Sequence, residues 1–250
     1  MRKRTTACRA GFALALLAAT LGVSGCGGEG TVSLEAARRA SIDGDDERAV
    51  DLYRRYLDEQ PDDFDALKEY TLTLGERWAY DGGDRGPIIA NLERLYEMRP
   101  ADQDVQGLLS LMLIREGQVA AEAGRNEEAQ AVLRRAVAVN PESGAAQYQL
   151  GMLHEDRGEA EQAFAQYRAA AAKRPQIPDL YLRLGRAYMA RDDPDRAITT
   201  LGLVVELSGV STYLLPEAYC GLAQAYASKG MEQEAQDALE RAADTCELGG

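Results

Sequence analysis

The chain has 250 residues, a formal net charge of −13 and a sequence pI near 4.7. So acidic a chain is poorly suited to nucleic acid or to anionic lipid surfaces, because both repel it. Its single histidine and four cysteines leave few ligands for a soft metal.

Arg2, Lys3, Arg4 and Arg9 form a basic head. Ala10 to Val23 is an apolar run broken only by Gly and Thr. It falls short of the ~20 residues that a membrane-spanning helix needs. A basic head, a short apolar run and small residues before a cut site read as a secretory signal. Val23-Ser24-Gly25-Cys26 resembles the lipobox of bacterial lipoproteins. The resemblance implies that residues 1–25 are removed and that Cys26 carries diacylglycerol and an acylated amine, palmitate among its chains. The alternative is an ordinary signal whose cut lies near a cysteine. Several acyl chains anchor stably, at ~0.8 kcal/mol per buried methylene. Gly27 and Gly28 follow and no Asp stands beside the Cys. The resemblance therefore implies the bacterial outer membrane, lipid-anchored and facing the periplasm, with residues 26–31 as a tether. Losing residues 1–25 removes four positive charges and no acid, which takes the net charge from −13 to −17.

The rest of the chain, 32–247, reads as one repetitive domain. Its clearest unit is Gly144 to Pro175. Leu150, Gly151 and His154 mark a first helix, Gly158 a turn, and Ala163, Tyr167 and Ala170 a second helix that Pro175 stops. Small and large residues at these offsets let one helix nest against another. The pattern resembles the tetratricopeptide repeat (TPR), a 34-residue helix-turn-helix.

The units read as 32–61, 64–100, 103–141, 144–175, 178–209 and 216–247. Their second helices place Ala49, Ile88, Ala129, Ala163, Ala197 and Ala235 at one equivalent position. Pro61, Pro100, Pro141 and Pro175 each follow twelve residues after that position. Asp46, Asn126 and Asp193 are the expected N-caps of three second helices, with Pro194 as the first helical residue after Asp193. The unit at 64–100 is enlarged around Gly75 to Gly83 and carries Trp78 and Tyr80. A longer joint, Gly209 to Leu215, carries Tyr213. The fold class is all-α: the resemblance implies a right-handed TPR solenoid of about six repeats with a concave groove.

Catalytic constellations are not visible. His154 sits where the next two repeats carry Tyr188 and Tyr226, so it reads as a packing residue with one satisfied nitrogen. The acidic runs at 43–47 and 59–63 lack a calcium-loop pattern and suit helix starts. No metal, cofactor or enzymatic activity is expected. Cys8 leaves with the signal and Cys26 is lipidated, so Cys220 and Cys246 remain as an even pair. They fall at the start of one helix and the end of its antiparallel partner, so a disulfide is expected. Closing a loop of about 25 residues adds ~3 kcal/mol.

In the TPR family the groove is lined by first-helix residues. Carried onto this chain, they are Tyr148, Met152 and Glu155, then Asp179, Leu182, Arg186 and Met189, then Gln224. Such a groove suits a peptide held by side-chain pockets. Trp78, Tyr80 and Tyr213 are candidate contacts outside it, since Trp and Tyr often anchor interfaces. They equally suit packing in the space the extra residues create. The architecture resembles the pilotins of type IV pilus secretins. That likeness implies a scaffold whose partner is an outer-membrane secretin, with a role in pilus assembly and motility. The alternative is an accessory lipoprotein that regulates a cell-wall or polysaccharide synthesis enzyme by contact.

Overall fold

The computed structural model describes residues 32–81, 84–207, 212–242 and 246. The signal, Cys26 and the tether lie outside the described residues. Those residues form twelve α-helices, with one short 3-10 turn at Thr212–Leu214 and no strand. In chain order the helices are α1 Leu34–Ile42, α2 Asp46–Glu59, α3 Phe64–Asp81, α4 Gly86–Met98, α5 Gln103–Glu122 and α6 Asn126–Val139. There follow α7 Gly144–Asp156, α8 Ala160–Ala172, α9 Pro178–Met189, α10 Pro194–Glu206, α11 Leu215–Ser228 and α12 Glu232–Arg241. Each helix packs on the next, and α7 and α11 also reach back to α5 and α9. The contacts stay between neighbours, which is the architecture of a solenoid. The apolar interior is accordingly a row of clusters along the array.

The turn inside repeats one, three, four, five and six has one physical requirement. Gly44, Gly124, Gly158 and Gly230 all adopt φ between 71° and 75°. Glycine meets that left-handed geometry without a Cβ penalty. Asp192 takes the same place between α9 and α10 at φ 56°, and Asp tolerates this region better than most residues. Two expected caps shift by one residue. Asp45, not Asp46, is the N-cap of α2 and accepts a bond from the Arg48 amide at 3.2 Å. Arg125, not Asn126, precedes α6 and makes no side-chain cap bond. Asp193 caps α10 ahead of Pro194, accepting from the Arg196 amide at 3.1 Å.

Ala49, Ile88, Ala129, Ala163, Ala197 and Ala235 are all buried. Ala49, Ala129 and Ala163 cluster there with Ala37, Ala120 and Tyr148 of their own first helices. Cys220 on α11 is bonded to Cys246, with Cα atoms 5.5 Å apart. This link ties the chain beyond α12 back onto the last repeat.

Candidate protein-binding site

The first helices of repeats four and five carry most of the residues expected to line a groove. Tyr148 and Leu182 are 6% and 2% exposed and are part of the interior instead. The reason is tertiary. The Tyr148 ring stacks at a tilt on Tyr167, with centroids 6.0 Å apart. Leu182 shares a cluster with Leu214, Ala218 and Leu222 from the next repeat. Met152 and Met189 are half-buried, and Glu155, Arg186 and Gln224 are exposed.

The charged members of this set are already engaged. Arg183 bridges α7 and α9: its Nε donates to Asp179 and its Nη1 to Glu155, each at 2.7 Å. Tyr148 donates its hydroxyl to Asp179, and Tyr167 donates to Glu155. Burial, followed by the adjacent carboxylate, pushes both phenols well above the usual tyrosine range. Arg186 pairs with Glu217 of the following repeat. The face of repeats four and five is therefore closed by its own network.

His154 is buried, and its Nδ1 lies 2.6 Å from Glu159 Oε2. An ionised carboxylate only accepts, so Nδ1 carries the hydrogen. The bond to His154, then the nearby Arg157, holds Glu159 below the usual carboxylate range. Among the described residues no group of three His, Cys, Asp or Glu side chains is placed to hold a metal ion. No described helix is long and apolar enough to cross a membrane.

Repeats two and three differ from this closed face. A cleft of about 300 Å³ opens between α3 and α5, with α4 as its floor. Leu72 and Trp78 line it from α3, Ile88 and Leu92 from α4, and Leu108 and Met112 from α5. Leu72 is 44% exposed, and Leu111, one turn from Leu108, is 54% exposed. Arg85 lies over the Trp78 ring, 5.6 Å from its centroid, and pairs with Glu116 at 3.2 Å.

The opening traces to one extra residue. A Cβ at Gly117, Gly151 or Gly185 would come within 2.6 Å of Leu133, Tyr167 or Leu201. In each case the large partner stands sixteen places after the glycine. Gly75 follows a leucine just as Gly151 and Gly185 do, but a Cβ there would meet nothing within 4 Å. Sixteen places on stands Asn91, and Leu92 comes one place later. The large partner thus falls seventeen places on, and nothing lies within 4 Å of a Cβ at Gly75. Asn91 keeps its Nδ2 buried without a hydrogen-bond partner among the described residues. That offset is legible in the sequence as a break in the glycine-to-partner spacing, although the expected groove residues pointed elsewhere.

Of the three further aromatic candidates, Trp78 lines this cleft and Tyr213 is 77% exposed in the joint. Tyr80 belongs to α3, and its side chain lies outside the described residues. Leu214, beside Tyr213, is buried.

Family models of the tetratricopeptide repeat match residues 114–178, 155–208 and 216–246. Together they take in half of the chain, which belongs to the tetratricopeptide repeat family. No curated protein matches it in sequence. Among solved structures, BtubC from P. vanneervenii superposes with a TM-score of 0.50 at 18% identity, covering 83% of this chain and 89% of that one. MamA gives 0.45 at 20% identity, over 70% of this chain and 90% of that one. YrrB, described as a TPR protein with an unusual peptide-binding site, gives 0.42 at 19% identity, over 70% and 84%. At these identities the likeness concerns the fold alone. The chain is a TPR scaffold of the kind that suits protein–protein interaction.

Proposed function

We propose that this protein is a lipid-anchored scaffold of the bacterial outer membrane. It faces the periplasm and assists assembly of a type IV pilus secretin, the role of a pilotin. The observation that carries the anchoring is the basic head and short apolar run ending in Val23-Ser24-Gly25-Cys26. The repeat array supports the scaffolding part, because a solenoid offers a long surface to a chain held against it. A tether of residues 26–31 reaches at most ~20 Å when extended. It keeps the array beside the membrane, where secretin subunits insert and multimerise.

Two experiments test this reading. Cys26→Ala should leave unprocessed precursor and release the protein from the outer-membrane fraction; normal cleavage and sedimentation would refute the anchor. Deleting the protein should abolish detergent-resistant secretin multimers while monomers are still made. Normal multimers in the deletion strain would remove the pilotin role and leave regulation of an envelope-synthesis enzyme in its place.

A further inference from the structure

We infer that the cleft between α3 and α5 is a docking site for a segment of another protein, one bearing a large apolar side chain next to a lysine or arginine. The inference rests on the scaffold reading above and locates its working surface.

Three observations carry it. The first is shape and chemistry. The walls are Leu72, Trp78, Leu108 and Met112, and the floor is Ile88 and Leu92. A volume of about 300 Å³ is at the low end of the range for ligand sites. The lining is apolar, so the occupant must present an apolar side chain.

The second is charge. Glu76 is the one charged residue lining the cleft, and it is exposed. No described residue pairs with it, whereas Arg85 beside Trp78 is committed to Glu116. An apolar side chain with a neighbouring cation satisfies the walls and Glu76 together. The −17 charge left after residues 1–25 are removed draws such a segment toward the protein.

The third is exclusion of the obvious competitor. On the face of repeats four and five, Arg183, Glu155 and Asp179 bond to one another, and Tyr148 and Leu182 are buried. That surface offers no free charge of this network, and the recess beside Met152 is lined by Arg115, Gln118, Glu122 and Asp156, so it is polar where the cleft at Trp78 is apolar.

The test exploits a feature of the cleft itself. Trp78 is the chain's single tryptophan, so fluorescence excited at the red edge of its absorption, where the tyrosines scarcely absorb, reads this site. The processed lipoprotein in lipid nanodiscs is titrated with a hexapeptide, Lys-Leu-Phe-Leu-Lys-Lys, and with its counterpart in which every Lys is Glu. The basic peptide should give a saturable change in Trp78 emission, and the acidic one should bind at least tenfold more weakly. Glu76→Lys should reverse that preference. Gly75→Leu should fill the cleft and abolish the signal; its first carbon meets nothing, and a melting temperature no lower than that of the unaltered protein checks that the fold is kept. Equal binding of the two peptides, or unaltered binding to Gly75→Leu, would overturn the inference. So would saturation by palmitate in place of the peptide, or dimerisation that Gly75→Leu abolishes, since each assigns the cleft to another occupant. In cells, Gly75→Leu should act like the deletion. If it assembles secretin normally while the deletion does not, the cleft is wrong and the scaffold reading stands.

Discussion

Repeats three to five and repeat two carry the same kind of helical hairpin, but they differ at one contact. In the former, a first-helix glycine lies against a large second-helix side chain, Leu133, Tyr167 or Leu201. In the latter, Gly75 faces an open cleft. A solenoid tolerates this difference because each repeat answers only to its neighbours. One displaced residue can therefore open a recess without unsettling the rest of the array. Repeats three to five fill this contact with a side chain, and repeat two leaves it open.

The sharpest way to break this comparison is to place the same charge on both faces. Leu182→Glu buries a carboxylate among apolar residues and should cost about 4 kcal/mol or more. Leu72→Glu, on a partly exposed wall of the cleft, should stay within about 0.5 kcal/mol. Urea denaturation of the two variants checks it. Equal losses would mean that the two faces are packed alike.

At the end of the array, reducing or removing the Cys220–Cys246 bond should cost about 3 kcal/mol. The loss should be confined to the last repeat, since end repeats unfold locally in such arrays. Hydrogen exchange on Cys220→Ser would show loss of protection in α11 and α12 only. Uniform loss across all the helices would contradict the nearest-neighbour picture.

A smaller effect changes sign between the two regions. Gly75→Ala removes a helix-interior glycine and meets no neighbour, so it should stabilise by about 0.5–1 kcal/mol. Gly151→Ala gains the same propensity but drives a Cβ into the Tyr167 ring, which the bond to Glu155 holds in place. Overpacking costs about 1–3 kcal/mol and should win. Melting temperatures that move in the same direction would refute the geometric account.

The smallest effect is in alkali. Tyr148 and Tyr167 titrate above the ordinary tyrosine value of about 10 when folded. The unfolded chain therefore loses these protons first. The contribution is fully present below pH ~10 and is lost as pH rises towards the folded values. Tyr148→Phe should flatten the fall in stability above pH 10, and an unchanged slope would refute the account. Stability measured across that range decides it.

Much of this molecule follows from local chemistry. Residues 144–175 alone state the repeat, because a small residue opposite a large one is a pairwise rule. The alanines at one position of the second helices ended in the interior for the same reason. The cap at Asp193 was legible to the residue, and those of α2 and α6 only to within one. Asp45 and Asp46 are adjacent acids, and the left-handed turn at Gly44 decides which of them ends up outside the helix. The burial of Tyr148 and Leu182 was not legible, because it depends on residues one repeat away. Asp179, Arg183 and the α11 side chains cover them, and no local pattern encodes how far a neighbouring hairpin leans. The recess at Gly75 lies between the two cases. Its cause, the extra residue before Leu92, is written in the sequence, whereas its consequence required three helices to be placed together. Spacing fixes which faces of a hairpin meet, and packing against the next hairpin settles which surface remains for a partner.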